Sequence, residues 1–273
     1  MSAPGATELP QGPSDQRQAG DAYEHYMGRW SRLVAGDFVA WLGISPGGVW
    51  LDVGCGTAAL TRAIGALAAP LAVSGVDHSA GMLAYAGGVA DDELIDLQLA
   101  EATQLPYEDG IFDVVVSGLV LDELPDPVSA LREQSRVLAP HGVVAAYVWD
   151  YAEGMRLLRS FWDVARGIKP SAAAIDEASR SLGARPRNLV RTFVAAGLDP
   201  IESRTFEVMR QFRDFTELWT PFLSGQGAAP GFVAGLTMDE LEALRAGLLA
   251  ALPVEPDGTI RLPARAWAVR ARA

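Results

Sequence analysis

A glycine-rich turn directly after an apolar run is the part of this sequence best suited to chemistry. Residues 51–58 read LDVGCGTA, so a predicted strand passes through Gly54 and Gly56 into a predicted helix. Glycine permits a sharp backbone turn and a closer approach of a ligand than a Cβ atom would allow. The free N–H groups at the start of the helix would face that ligand. Alone, the turn also fits a plain strand-to-helix connection.

A second chemical feature is Asp77, which ends the next apolar run of the chain. Adjacent strands of a parallel sheet end at one edge, which places this carboxylate beside the glycine turn and within reach of ribose hydroxyls. Ser79 is suited to cap the helix that follows, and Asp77 alone also fits such a cap. Together, the turn and the acid predict a nucleoside-binding site.

The elements that position these residues follow from the spacing of apolar side chains. Between residues 49 and 150, short apolar runs alternate with amphipathic stretches, which is typical of βαβ units and a parallel sheet. Strands are predicted at 49–53, 71–77, 95–99, 112–117 and 143–148, then at 201–208 and 258–270. Helices are predicted within 21–42 and at 58–67, 80–87, 127–138, 153–166, 187–196, 212–219 and 238–251.

Two later motifs complete a set that resembles a known family. Residues 101–115 read EATQLPYEDGIFDVV, and residues 133–142 read EQSRVLAPHG. With the glycine turn and Asp77, they resemble the motifs of class I S-adenosylmethionine-dependent methyltransferases, especially the ubiquinone and menaquinone biosynthesis group. The resemblance implies an α/β, Rossmann-like three-layer sandwich whose sheet has seven mostly parallel strands, with N-terminal helices and a helical cap. It also implies methyl transfer to a small-molecule oxygen, nitrogen or carbon nucleophile by in-line displacement.

The same resemblance assigns residues to the cofactor, S-adenosylmethionine. The backbone at Gly54, Cys55 and Gly56 would pack against its methionine part, and Asp77 would accept hydrogen bonds from both ribose hydroxyls. The other residues expected there are Asp52 and His78, then Met82, Glu101 and Ala102 at the adenine, and Ser117 and Leu119 under the sulfonium. The alternative for Met82 is a place in the core.

The resemblance extends to residues 23–31, YEHYMGRWS, which are similar to a signature that precedes the first strand in bacterial members. Tyr26 and Arg29 would then close over the cofactor, with Arg29 paired to its carboxylate. The alternative is an aromatic helix packed on the core with Arg29 solvated. Two residues depart from the family pattern: Ala58 replaces the third glycine, and Glu101 replaces an aspartate, so the turn or the adenine edge is expected to shift.

A general base is needed only if the acceptor must lose a proton, because the sulfonium itself supplies the electrophile. Correct alignment of the reacting atoms can lower the barrier by roughly 7–11 kcal/mol. The catalytic candidates are His25, Asp122 and Tyr151, with Glu123 as a further base or orienting group. All four lie near segments expected to face the cleft, and a structural role is the alternative for each.

One methyltransferase domain is expected over residues 21–273, preceded by a disordered tail at 1–20 that is rich in Pro, Gly, Ser and Gln. Its core would comprise about 45–150, 187–210 and 258–273. The cap would comprise about 151–186 and 211–257. Aromatic residues of the cap segments suit an apolar acceptor pocket, although a small core within the cap is the alternative.

Composition narrows the class of partner. The net charge of -12 disfavours nucleic acid, whose phosphates require clustered cations. The single cysteine excludes an internal disulfide, and the three histidines show no metal-ligand spacing, so no metal is expected. No apolar run is long enough to span a bilayer and no signal pattern begins the chain, so a cytoplasmic protein without membrane insertion is expected.

Two other functions remain open from the sequence. A nicotinamide-dependent oxidoreductase fits the relaxed glycine pattern of Gly54, Gly56 and Ala59 followed by an acid. However, it leaves residues 101–115 unexplained, and Lys169, the sole lysine, is poorly placed for it. A non-catalytic or repurposed S-adenosylmethionine-binding protein is the other alternative, because a fold does not fix a function.

Overall fold

The computed structural model describes residues 20–90, 93–180, 185–224 and 227–272. The tail predicted at residues 1–20 lies outside them except for Gly20. Over these ranges, no helix is both long and apolar enough to cross a membrane.

A single seven-stranded sheet forms the centre of the molecule, in the order β3-β2-β1-β4-β5-β7-β6. The first five strands are parallel, and β7 runs antiparallel to both β5 and β6. Their bounds are β1 Val49–Val53, β2 Ala72–Asp77, β3 Ile95–Leu99, β4 Phe112–Gly118, β5 Leu138–Trp149, β6 Asp199–Phe212 and β7 Ile260–Arg272. This arrangement confirms the predicted fold class. The order in which strands join the sheet reverses between β1 and β4, which opens a crevice at their carboxyl ends.

Helices flank the sheet on both faces. They are α1 Arg29–Leu42, α2 Ala59–Leu67, α3 Ala80–Ala86, α4 Pro127–Val137, α5 Arg156–Ile168, α6 Glu177–Arg180, α7 Pro186–Ala195, α8 Phe215–Ser224, α9 Ala228–Ala234 and α10 Met238–Ala251. A π-helical turn, Glu24–Gly28, precedes α1, and a 3₁₀ turn, Pro170–Ala174, follows α5. Local caps fix several starts, including Ser79 for α3 and the Thr237–Glu240 capping box for α10.

The apolar core has one layer on each face of the sheet. One layer joins α1 and α2 to the sheet through side chains such as Trp30, Phe38 and Ile64. The other joins α4 and α7 to the opposite face through Leu131 and Phe193. Burial of these layers holds the strand ends, and therefore the crevice, in a fixed frame.

The cap helices extend the first of these layers. The rings of Phe161 and Phe222 stack with centroids 4.8 Å apart, and Trp162 packs edge-on to Phe161. Most aromatic residues that suited an acceptor pocket are therefore buried in the packing of the cap. Trp149 and Tyr151 are different, because they line a cavity.

Several predicted boundaries were wrong, including the start of the fifth strand and the position of Phe212. The fifth strand was expected to begin at Val143, after a turn at residues 139–142, but β5 begins at Leu138. His141 has a φ of 68°, and the pairing of β4 with β5 shifts register between Phe112 and Val114, so the segment is a strand irregularity. Phe212, expected to start a helix, instead ends β6, and α8 begins at Phe215.

Candidate functional site

A large cavity lies at the carboxyl ends of β1, β2 and β4, where the sheet topology opens the crevice. Its volume is about 550 Å³, and Gly54, Asp77 and Leu119 are among the residues that line it. We call it the nucleoside cavity, after the ligand that the sequence predicts. Its size falls within the range of roughly 300–1,000 Å³ that is typical of small-molecule sites.

The glycine turn lies in the wall of this cavity, held by backbone hydrogen bonds. The N–H groups of Gly54 and Cys55 donate to the carbonyl of Val76, at 2.7 and 2.9 Å. Gly54 has a φ of 76°, and a Cβ there would overlap the side chain of Val120. Gly56 has a φ of 53°, and a Cβ there would meet nothing within 4 Å, because that space belongs to the cavity. The two glycines therefore serve different purposes.

Ala58 occupies the position where the family motif has its third glycine. Its φ is 65°, so the backbone keeps the left-handed conformation that glycine adopts most easily. The methyl group is fully buried. The turn accordingly follows a left-handed path with alanine, at a backbone cost of about 1–3 kcal/mol.

Asp77 connects the glycine turn to the next helix. One carboxylate oxygen accepts the N–H of Gly56 at 2.9 Å, and the other accepts the N–H of Ser79 at 2.8 Å. The residue is only 7% exposed, yet it lines the cavity. Each carboxylate oxygen can accept a further hydrogen bond, so the geometry fits the predicted contact with ribose hydroxyls.

Asp52 is a buried carboxylate beside Asp77. Its Oδ2 atom accepts the Thr61 hydroxyl at 2.7 Å, whereas Oδ1 has no hydrogen-bond partner among the described residues. Burial, reinforced by the charge of Asp77, raises the pKa of Asp52 from 3.8 to about 7. A cationic ligand in the cavity would supply the missing partner and favour the ionised form.

Acidic side chains dominate the electrostatics of the nucleoside cavity. Four carboxylates line it, namely Asp52, Asp77, Glu101 and Glu123. Neither lysine nor arginine is among the described residues that line it. Such a wall favours a cationic ligand and disfavours a ligand that carries phosphates.

The start of α2 meets a carboxylate from the protein itself. The Thr57 hydroxyl donates to Glu24 at 2.5 Å, and Arg32 pairs with the same carboxylate. Gly28 leaves room for it, because a Cβ there would overlap the Glu24 carboxyl group. In dinucleotide-binding folds, the corresponding helix start faces a pyrophosphate. Here Glu24 already places a negative charge beside it.

Most residues assigned to the cofactor from the sequence do line the nucleoside cavity. These are Asp52, Gly54, Cys55, Gly56, Asp77, His78, Met82, Glu101 and Leu119. Ser117 and Ala102 do not. Ser117 is fully buried beneath the strand end, where Gly118 lines the cavity instead, and Ala102 packs against the core of the α4 face.

Arg29, which was expected at the cofactor, does not line the nucleoside cavity. Its side chain pairs with Glu217, and it lines an outer cavity together with His25. His25, expected to face the cleft, is exposed, and its Nδ1 lies 2.7 Å from the carbonyl of Asp21. The reason is the π-helical turn, whose wider spacing alters which side chains of this segment share a face. Tyr23 and Ser31 line the nucleoside cavity, with their hydroxyls 2.9 Å apart.

A second, smaller cavity adjoins the first. Its volume is about 240 Å³, and the two cavities share Tyr23, Leu119 and Glu123 in their walls. Tyr26, expected at the cofactor, lines this second cavity and not the first. We call the second cavity the cap cavity, because α5, α6 and α9 contribute to its wall.

Two of the four candidates, Tyr151 and Glu123, line the cap cavity. Tyr151 lines it, and burial raises its pKa well above the ordinary value, so its hydroxyl is a hydrogen-bond donor and not a base at neutral pH. Asp122 does not line either cavity. Its neighbour Glu123 is exposed and lines both, so Glu123 is the better-placed carboxylate.

Sequence reasoning missed several lining residues, namely Tyr23, Ser31, Thr57, Gly118 and Tyr147. Gly118 carried a usable signal, since it ends a buried strand. A Cβ at Gly118 would overlap the Tyr147 side chain. Tyr23 and Ser31 carried no such signal in the sequence, because their common face depends on the π-helical turn.

Comparison with known proteins agrees with this geometry. Residues 51–146 match a family described as a methyltransferase domain. This segment is therefore similar to methyltransferase domains. It includes the glycine turn, Asp77 and the strand end at Leu119. The match extends over the parallel half of the sheet and stops before the cap.

One curated relative is the demethylmenaquinone methyltransferase of Bacillus mycoides (strain KBAB4). The identity is 41% over 107 residues, which cover 37% of this chain and 44% of the relative. The chain thus aligns with less than half of that protein's length, so the acceptor of the relative does not transfer directly.

Solved structures share the fold over most of the chain. A putative methyltransferase from Bacillus halodurans C-125 matches with a TM-score of 0.58 at 15% identity, covering 87% of this chain and 97% of that one. The [4+2]-cyclase SpnF matches with a TM-score of 0.55 at 21% identity, covering 89% and 80%. The antiparallel strands and the surrounding helices therefore belong to the same overall fold.

Proposed function

We propose that this chain transfers the methyl group of S-adenosylmethionine to a small-molecule acceptor by in-line displacement. The observation that carries the proposal is the acidic nucleoside cavity, built on a glycine turn and lined by no described lysine or arginine. S-adenosylmethionine carries a permanent sulfonium charge, which suits such a wall. It supplies an electrophilic methyl group when bound.

Each residue contributes to binding and alignment in this proposal. Asp77 holds the ribose, and the turn at Gly54–Gly56 holds the methionine part against its backbone. Asp52, whose Oδ1 lacks a partner among the described residues, accepts a hydrogen bond from the cationic part of the ligand. Leu119, whose φ is 65°, holds a strained backbone at the point where the nucleoside and cap cavities meet.

We further propose that the cap segments, about 151–186 and 211–257, provide the acceptor pocket. The cap cavity adjoins the nucleoside cavity and is the place from which an acceptor would approach the methyl group. Binding in that pocket excludes water and aligns the nucleophile, which are the two contributions a protein makes to such a displacement.

Calorimetry with two ligands tests the cofactor. S-adenosylhomocysteine should bind the wild-type protein, whereas NAD should not, because its pyrophosphate would face the carboxylates of the cavity and Glu24. Binding of NAD in preference to S-adenosylhomocysteine would overturn the proposal.

Substitution of Asp77 tests the site itself. Asp77→Ala should weaken S-adenosylhomocysteine binding by about 1–3 kcal/mol, because it removes a buried acceptor and also frees the N–H groups of Gly56 and Ser79. Asp96→Ala is the matched control, since Asp96 is an exposed acid on the adjacent strand. Equal affinities of the two variants would show that Asp77 does not contribute to ligand binding.

A non-methylating use of the same cofactor remains the second candidate. The observation in its favour is the fold shared with a [4+2]-cyclase, since a fold does not fix a reaction. Incubation of a metabolite extract with methyl-labelled S-adenosylmethionine separates the two. Labelled products support methyl transfer, and binding without any labelled product supports the alternative.

A further inference from the structure

The walls of the cap cavity are aromatic and acidic. Four aromatic side chains line it, namely Tyr23, Tyr26, Trp149 and Tyr151, together with apolar side chains such as Leu158. Its charged lining residues are Glu123 and Glu177, and no lysine, arginine or histidine is among the described residues that line it. Aromatic faces and carboxylates are the two features that bind organic cations.

Glu177 is a carboxylate without a cation of its own. It accepts a hydrogen bond from Trp162 Nε1, and no described cationic side chain forms an ion pair with it. Arg159 acts on Glu177 electrostatically, but its guanidinium pairs with Asp176, which also pairs with Arg166. Burial raises the pKa of Glu177, and the adjacent Asp176 adds to the effect. Such a carboxylate gains stability from a positively charged ligand.

Tyr26 supplies an independent observation at the same place. It is 6% exposed and lines the cap cavity, yet its hydroxyl has no hydrogen-bond partner among the described residues. Glu177 acts on the same hydroxyl electrostatically and contributes to its raised pKa, after the larger effect of burial. A buried hydroxyl normally has a hydrogen-bond partner, and a polar ligand in the cap cavity could supply one.

We propose that the methyl acceptor is a compact organic amine, bound in the cap cavity as an ammonium ion by Glu177 and Tyr26 beneath the aromatic walls. The ammonium ion would first lose one proton to the Glu177 carboxylate, which frees the lone pair of the nitrogen. The N–C bond would then form as the bond between sulfur and the methyl group breaks, with S-adenosylhomocysteine as the leaving group. This inference rests on the proposed methyl transfer and names its substrate class. The volume of about 240 Å³ equals roughly eight water volumes of ~30 Å³, which is room for one substituted ring.

Three probes of equal size and different charge test the inference. Binding of 2-phenylethylamine, 2-phenylethanol and phenylacetate is measured by calorimetry on the full chain saturated with S-adenosylhomocysteine. The amine should bind at least about tenfold more tightly than the other two, because only it carries a positive charge to Glu177. Equal affinities, preference for phenylacetate, or binding of none of the three would overturn the proposal.

Two variants locate the effect. Glu177→Gln should remove the preference for the amine, whereas Glu255→Gln, at an exposed acid in the turn before β7, should keep it. Tyr26→Phe removes only the hydroxyl and should weaken amine binding by about fivefold, the size of one hydrogen bond. If Glu177→Gln fails to fold, the Tyr26→Phe variant tests the inference by itself. Unchanged amine affinity in Tyr26→Phe would contradict the inference.

The same titrations separate this inference from the proposed function. Binding of S-adenosylhomocysteine to the wild type tests the cofactor site alone. If it binds and no preference for the amine appears, the acceptor class is wrong and the proposed function stands. If it does not bind, the proposed function itself fails.

Discussion

Asp52 and Asp77 are carboxylates at the ends of adjacent strands, and their surroundings differ. Asp77 accepts two backbone N–H groups, whereas Asp52 accepts one hydroxyl and leaves Oδ1 unpaired among the described residues. Hydrogen bonds to a carboxylate favour its ionised form, and burial without them favours the neutral form. Burial raises the pKa of Asp52 to about 7, so its charge depends on pH near neutrality.

Affinity for S-adenosylmethionine should rise with pH because of Asp52. Its pKa of about 7 means that half of the free protein carries a neutral Asp52 at that pH. Below the pKa, binding of a cation should weaken by up to about tenfold per pH unit, and above it the affinity should level off. Calorimetry from about pH 6 to about pH 8 measures this. Asp52→Asn should flatten the profile, and an equally steep profile in that variant would assign the effect to another group.

Stability of the ligand-free protein should change in the opposite direction. The folded pKa of Asp52 lies above the unfolded value of 3.8, so the folded state binds the extra proton between 3.8 and about 7. Through this window, Asp52 should lower the free energy of unfolding by up to about 1.4 kcal/mol per pH unit as the pH rises. Denaturant unfolding of the wild type and of Asp52→Asn, compared at several pH values, isolates this contribution.

The turn between β1 and α2 combines three left-handed residues, Gly54, Gly56 and Ala58. Gly54 is required by packing against Val120, and Gly56 faces open space in the nucleoside cavity. Ala58 keeps the same conformation with its methyl group buried. The strand-to-helix connection thus has open space at Gly56, whereas Gly54 and Ala58 are packed against their surroundings.

Alanine at the two glycines should therefore give different defects. Gly54→Ala should cost about 1–3 kcal/mol in stability through overlap with Val120, in addition to the cost of its positive φ. Gly56→Ala should cost only about 1 kcal/mol, because nothing described lies within 4 Å of its Cβ. Its methyl group would instead occupy ligand space and reduce S-adenosylhomocysteine affinity by about tenfold or more. Thermal unfolding and calorimetry measure both effects, and equal loss of stability in the two variants would contradict this assignment.

The N-terminal segment and the cap complete the site around the sheet. Glu24 joins the segment to the start of α2 through Thr57, and Tyr23 and Ser31 then line the nucleoside cavity. From the other side, α5, α6 and α9 enclose the cap cavity. The sheet alone would leave both cavities open to water.

Removal of the Glu24 carboxylate should loosen this closure. Glu24→Ala loses the contacts with Thr57 and Arg32 and should cost about 1–3 kcal/mol in stability. S-adenosylhomocysteine should also bind several-fold more weakly, since Tyr23 and Ser31 would no longer be held over it. Thermal unfolding and calorimetry are compared with Asp37→Ala, an exposed acid on α1. A variant that matches the control in both measurements would show that Glu24 does not hold the segment in place.

The sequence by itself determined the parallel sheet, the glycine turn and the place of Asp77, because these depend on apolar periodicity and on residue types close together in the chain. Packing decided the rest. The π-helical turn directs His25 and Arg29 outward and Tyr23 and Ser31 inward, and no local pattern encodes that rotation. The contact of Glu24 with Thr57 and the meeting of Glu177 with Tyr26 join residues far apart in sequence. Such contacts exist only after the helices have docked on the sheet, so the tertiary structure alone places them.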